Sequence, residues 1–177
     1  MRVIAGAHRG AKLRAPRGER TRPTSDRVRE AVFSMLADVH DERVLDLFAG
    51  SGALAIEALS RGAASATLVD SSTAATEAIA GNLKALGLQA EVQRRDALAF
   101  LAAAREAGRQ YDLVFVDPPY RLAGMVGREL SIALAWLLAP ESRVVTESDR
   151  RAPLELELPL VRERRYGDTL IRIHDPR

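Results

Sequence analysis

The run Leu113-Val114-Phe115-Val116-Asp117-Pro118-Pro119-Tyr120 passes from four apolar residues directly into an acid and two prolines. A short apolar run of β-branched and aromatic residues closed by breakers reads as a strand buried on both faces. The prolines fix φ at two successive positions and remove two backbone donors. Carbonyls are left that no local helix or ladder can claim, so the strand ends in a stiff loop of hydrogen-bond acceptors headed by the Asp117 carboxylate.

Outward from this run the chain alternates. Residues 44–48, 66–70, 90–94 and 113–117 read as short strands, and 53–60, 73–86, 98–107 and 125–138 as helices that follow them in turn. Strands separated by helices pair in parallel and bury both faces of their sheet. Residues 143–147, 154–164 and 169–174 then read as strands, the last two joined by a tight turn at Tyr166-Gly167-Asp168. Near the start, Val28, Ala31, Val32, Met35 and Leu36 recur at helical spacing through Asp38, behind the capping residues Thr24-Ser25-Asp26. Residues 2–15 alternate weakly and break at Gly6 and Gly10, which fits a small β-hairpin, and 16–22 are loop. The expected fold is α/β: a mostly parallel seven-stranded sheet with helices on both faces, a C-terminal antiparallel hairpin and a small N-terminal β-hairpin extension. Residues 1–22 would form that extension and 23–177 the main domain.

A chain of 177 residues suffices for one domain with its own core. No cysteine is present, which removes disulfides, thiolate metal sites and cysteine nucleophiles. The three histidines, His8, His40 and His174, lack a metal-ligand spacing, so no metal is expected, and Trp136 reads as core or interface. The longest apolar run, 132–139, is far too short for a bilayer, and the first residues do not form a signal peptide. A soluble cytoplasmic monomer, with no membrane partner, is the expectation. The total charge of +2 is unevenly spread: residues 1–30 hold nine basic and three acidic side chains, a net +6, leaving −4 for the rest. A basic arm on an acidic body suits a polyanion, whose counterions it would release, and equally suits a solvated tail.

Ligands of open parallel sheets bind beyond the carboxyl ends of the strands, and each end here is informative. The first reads Asp46-Leu47-Phe48-Ala49-Gly50-Ser51-Gly52, whose glycines let backbone amides approach a ligand as a helix starts. With Ala55 it also satisfies a dinucleotide pattern, leaving a nicotinamide cofactor open. The second ends at Asp70-Ser71, where a carboxylate can take both hydroxyls of a ribose or cap the next helix. The third ends at Asp96-Ala97, with the same choice between an adenine amine and a cap. At the fourth, Asp117 and the Pro118 carbonyl can accept the two hydrogens of a conjugated amine, letting its nitrogen pyramidalise toward an electrophile, while Tyr120 stacks on the ring.

In these motifs the chain resembles the class I, Rossmann-like methyltransferases, and within them the RsmD family, which methylates a guanine N2 amine in small-subunit ribosomal RNA. The resemblance runs through Arg2-Val3-Ile4-Ala5-Gly6, Gly10 and Leu13, then the block from Thr21 to Phe33, Asp46 to Leu54 and Glu57-Ala58-Leu59-Ser60-Arg61-Gly62. It continues in Asp117 to Tyr120 and Tyr166-Gly167-Asp168-Thr169. It implies S-adenosyl-L-methionine bound by Asp46, Phe48, Ala49, Gly50, Ser51, Gly52, Asp70, Ser71, Asp96 and Ala97, with Arg22 and Thr24 closing over its methionine end. It places the chemistry at Asp117, Pro118, Pro119 and Tyr120. The basic arm then gains a partner, 16S ribosomal RNA in an assembling small subunit, with Arg9, Lys12, Arg14, Arg17, Arg20 and Arg27 as its contacts. Other readings of the same features are a DNA adenine-N6 methyltransferase, a glutamine methyltransferase, which would carry Asn in place of Asp117, a non-catalytic RNA-binding module and a nicotinamide oxidoreductase.

Overall fold

The computed structural model describes residues 1–18, 25–36 and 38–176, the side chains of 120–124 excepted. In chain order the elements are α1 (Asp26–Leu36), β1 (Arg43–Leu47), α2 (Ala53–Ser60), β2 (Ser65–Asp70), α3 (Thr73–Leu86), β3 (Glu91–Arg94), α4 (Ala97–Glu106), β4 (Tyr111–Val116), α5 (Tyr120–Leu134), β5 (Leu138–Asp149), β6 (Leu160–Tyr166) and β7 (Thr169–His174). The strands form one seven-stranded sheet in the order β3-β2-β1-β4-β5-β7-β6. The first five are parallel, and β7 runs antiparallel between β5 and β6.

Alternation along the buried strands sends side chains to two apolar layers. Val44, Leu113, Phe115 and Val145 point into one core with Val32 and Phe33 of α1 and Ile56 of α2. Leu45, Leu47, Val114 and Val116 point into the other, against Phe100 of α4 and Leu130 of α5. The chain crosses the sheet between β1 and β4, so the loops after these two strands are neighbours. Leu47 lies opposite Val116, which brings Phe48 level with Asp117.

The N-terminal residues fold back on themselves through a bridge between Arg2 and Lys12. Val3 and Leu13 are buried in the first core. The arm is also tied to the body by polar groups. Glu57 accepts hydrogen bonds from the Ile4 and Ala5 amides at 2.7 and 3.0 Å. Ser60 Oγ takes the His8 amide and donates to the Ala5 carbonyl. Asn82 brackets Arg14, accepting from its N–H at 2.8 Å and donating to its carbonyl at 3.0 Å. Gly6 fits where a Cβ would stand 1.8 Å from the Ser60 carbonyl oxygen, so no other residue could lie this close to α2.

Three stretches depart from the sequence expectation by more than two residues. Helix α5 begins at Tyr120 rather than Met125, because Pro119, with φ −51° and ψ 137°, serves as its N-cap and the prolines hide the start of the helical pattern. The helix also stops at Leu134 and hands over to a long β5 whose irregular first part precedes the regular ladder from Arg143. Residues 154–158 alternate like a strand and bury Leu154 and Leu156, yet they lie outside the ladder. They pack on α5 instead: the Glu157 amide donates to Ser131 Oγ at 2.8 Å, and a Cβ on Gly127 would stand 2.1 Å from the Glu155 carbonyl oxygen. Trp136 is 59 % exposed, with Arg105 stacked over its ring at 4.1 Å.

Candidate active site

The loop after β1 is held from below and from the side. Asp46 is buried, and its Oδ2 accepts the Ala55 amide at 3.2 Å, fixing the first turn of α2. The Ala49 amide donates to the Val69 carbonyl, which anchors the loop to β2. Asp70 closes it from β2, with Oδ2 accepting the Gly50 amide and Oδ1 the Ser72 amide, both at 2.9 Å. Phe48 adopts φ +61°, a conformation that costs a non-glycine residue energy and that this loop enforces. Gly52 is required twice over. Its φ is +75°, and a Cβ there would lie 2.8 Å from Leu68 and 3.2 Å from Ile79. At Gly50 a Cβ would meet nothing nearer than the Phe48 carbonyl oxygen at 4.0 Å, so this side of the loop is open. Ser51 is buried, with its carbonyl accepting from Asn82 at 2.9 Å. Asp96 is the N-cap of α4, accepting the Ala99 amide, with Ala97 buried behind it, and Ser71 is exposed beside Asp70.

The third wall is Asp117, half-buried at the end of β4, with Pro118 buried and Pro119 exposed behind it. The β4–β5 register, with Val116 opposite Thr146, continues to set Asp117 level with Glu147. Both carboxylates line a cavity of about 10 Å3 together with Val32 and Leu54, room for about one water molecule. Burial holds the Asp117 carboxyl well above the usual carboxylate range, and the nearby Glu147 and Asp46 push it the same way. Glu147, which lines the same cavity as Asp117, was not singled out from the sequence. Its signal is an acid ending the β-branched run Val144-Val145-Thr146, as Asp117 ends the run before it.

Asp46, Phe48 to Gly52, Asp70, Ser71, Asp96, Ala97 and Asp117 to Pro119 thus line one edge of the sheet. The arm reaches the same edge, since the Ser51 hydroxyl contacts Met1 Sδ at 3.4 Å and Asn82 holds both Arg14 and Ser51. The side chains of Arg9, Lys12, Arg14, Arg17 and Arg27 are all exposed. Arg29, in the same basic block, is fully buried: it donates to the Arg2 carbonyl and to Asp26 at 2.8 Å, tying α1 to the arm. Arg20, Arg22 and Thr24 lie outside the described residues, as does the side chain of Tyr120. Among the described residues no helix is long and apolar enough to cross a membrane, and no three His, Cys, Asp or Glu side chains are grouped to hold a metal.

Burial, with Asp70 nearby, pushes the Asp46 carboxyl up to about 8, against an ordinary value of 3.8. Between these two pH values the folded chain holds a proton that the unfolded chain has lost. Stability is therefore complete below the ordinary value and falls as pH rises through the folded one, by up to about 1.4 kcal/mol per pH unit. Asp46→Asn keeps an acceptor for Ala55 and removes the proton. Urea unfolding is expected to show the variant gaining on wild type steadily from pH 5 to pH 8, and parallel curves would show that Asp46 carries no such proton.

The family described as conserved hypothetical protein 95 matches residues 1–175. Ribosomal RNA small subunit methyltransferase D of Escherichia coli K12 is 40% identical over 98% of this chain and 89% of its own length. YlbH of Bacillus subtilis strain 168 is 39% identical over the full length of both chains. The solved structure of yhhF from Escherichia coli superposes with a TM-score of 0.84 at 39% identity, covering 99% of this chain and 97% of its own. With fold, loops and near full-length identity in agreement, the chain belongs to this family, the RsmD family of class I methyltransferases.

Proposed function

We propose that this protein transfers a methyl group from S-adenosyl-L-methionine to the exocyclic N2 amine of a guanine in 16S ribosomal RNA. The observation that carries the reading is the adjacency of the glycine loop after β1 and the Asp117 loop after β4, which the β1–β4 register brings level. The residues suit the cofactor: Gly50 leaves its side of the loop open, and Asp70 and Asp96 stand at successive strand ends where a ribose and an adenine would lie. When bound, the cofactor supplies an electrophilic methyl group on a sulfonium.

The remaining work belongs to the chain. A guanine amine is a weak nucleophile, because its lone pair is spread into the ring. Asp117 and the carbonyl of Pro118 accept its two hydrogens, so the lone pair turns toward the methyl group, and Tyr120 holds the ring at the required angle. The base must leave any stack to reach this edge. After transfer the nitrogen is strongly acidic and gives up one proton, so a strong general base is unnecessary. The names of the relatives and the basic arm favour ribosomal RNA over DNA adenine.

Purified protein given labelled cofactor and either naked 16S ribosomal RNA or small subunits lacking the modification is expected to place the label on guanine. Label on DNA adenine, with none on either RNA substrate, would refute the assignment.

A further inference from the structure

The turn Tyr166-Gly167-Asp168 has no part in the chemistry above, yet it sits at the same edge of the sheet. Beyond Glu147, β5 continues to Asp149, where Thr169 of β7 pairs with it, and the chain then turns through Arg150 and Arg151. The two turns are bound together. The Arg150 amide donates to the Asp168 carbonyl at 2.9 Å. One oxygen of the Asp168 carboxylate, Oδ1, accepts from Arg150 Nε and from Arg151 Nη2, each at 3.2 Å.

One carboxylate thus orients two guanidinium groups, whose side chains remain 51 % and 69 % exposed. Exposed ion pairs contribute little to stability, so folding alone gives weak reason for this arrangement. On the neighbouring strand Glu163 is shared between the exposed Arg165 and the largely buried Arg172, which pairs also with Glu155 at 2.9 Å, and the exposed Arg164 donates to a backbone carbonyl. Asp149, whose Oδ1 accepts the Arg151 amide, and Asp168 balance Arg150 and Arg151 in number, and the surplus of positive charge lies on β6, where Arg162, Arg164 and Arg165 stand against Glu163. At about 3.3 Å per residue, Arg150 stands roughly 10 Å past the level of Glu147 and Asp117.

We propose that Arg150 and Arg151, aimed by Asp168, bind phosphates of the RNA strand that enters the site. The inference rests on RNA being the substrate. It gives the site a second basic wall on the β5 side of the Asp117 loop, formed by residues far in sequence from the N-terminal arm. Asp168 is a positioning residue: it presents the two guanidiniums as a pair and touches no substrate itself.

The double variant Arg150→Gln, Arg151→Gln keeps donors for Asp168 and removes both charges. Affinity for an unmodified 16S RNA fragment is measured between 50 and 200 mM salt, beside methylation kinetics. Each lost phosphate contact lowers the slope of log affinity against log salt by roughly 0.7 to 0.9, so a decrease of about 1.5 is expected. KM for RNA should rise about tenfold, with kcat and cofactor affinity unchanged. Asp168→Ala separates orientation from charge. It makes the surface more positive, yet KM is expected to rise about threefold, whereas simple charge attraction would lower it. Lys84→Ala, at the opposite end of α3, should change neither quantity. A wild-type salt slope in the double variant, or a lowered KM in Asp168→Ala, overturns the proposal while RNA methylation by the wild type stands. Wild type that neither binds nor methylates RNA removes the substrate reading and this inference together.

Discussion

Replacing Asp117 with alanine is expected to lower single-turnover methyl transfer by at least 10²- to 10³-fold, with cofactor affinity changed no more than severalfold. Loss of one preorganised acceptor or donor at a reacting centre has effects of this size. The proposed role of Asp117 is to accept a hydrogen of the substrate amine, an interaction that strengthens only as the nitrogen becomes tetrahedral. The cofactor bed is built by other groups: the Asp46 contact to Ala55, the Asp70 contact to Gly50 and the glycine loop itself. Rapid-quench measurement of transfer beside calorimetric titration of the cofactor separates the two effects, and transfer within tenfold of wild type would remove Asp117 from the mechanism.

The same residue predicts a pH dependence. Asp117 accepts hydrogen bonds best as a carboxylate, and burial together with Glu147 and Asp46 favours its protonated form. The ratio kcat/KM should therefore rise with pH along a limb whose midpoint lies above the ordinary carboxylate range. Asp117→Asn supplies a carbonyl acceptor that does not titrate, so it should keep part of the activity and lose that limb. An identical acid limb in the variant would assign the titration to another group.

The fold was legible where one local pattern carried it. The parallel strands are fully buried, so they stand out as short apolar runs, and the glycines and acids at their ends mark the edge where ligands bind. Long-range docking was not legible. Glu57 meets Ile4 and Ala5 across more than fifty residues, and Asn82 meets Arg14 across 68, so no local period announces either contact. Arg29 shows the same gap. Its place in a basic block suggests solvent or phosphate, whereas packing puts it at 0 % exposure beneath the arm. In residues 154–158 a true alternation of buried leucines was satisfied by helix α5 in place of a neighbouring strand, because burial of alternate side chains does not specify what covers them. The role of Glu147 depends on register, which only the folded sheet displays.

Glu57→Ala is expected to destabilise the fold by roughly 3–5 kcal/mol, the usual cost of stripping one partner from a buried charge network. The Glu57 carboxylate is buried, accepts two amides of the arm and pairs with Arg61 at 2.8 Å. It also offsets the charge of Arg29, whose Nε and Nη1 are buried without a hydrogen-bond partner. Alanine there leaves two amides and the Arg61 guanidinium without their acceptor, and Arg29 with Asp26 as its paired acid. Glu57→Gln keeps one acceptor oxygen and turns the other into a donor facing an amide, so an intermediate loss is expected. Urea unfolding gives the total, and hydrogen exchange locates it: protection of the Ile4 and Ala5 amides should fall further than that of the β1 and β4 ladders. The functional consequence follows from the same contacts. A released arm no longer holds Arg14 beside Ser51 through Asn82, so KM for RNA should rise even at temperatures where the variant stays folded. A loss below 1 kcal/mol with the Ile4 and Ala5 amides still protected would show that Val3 and Leu13, buried in the core, hold the arm without Glu57.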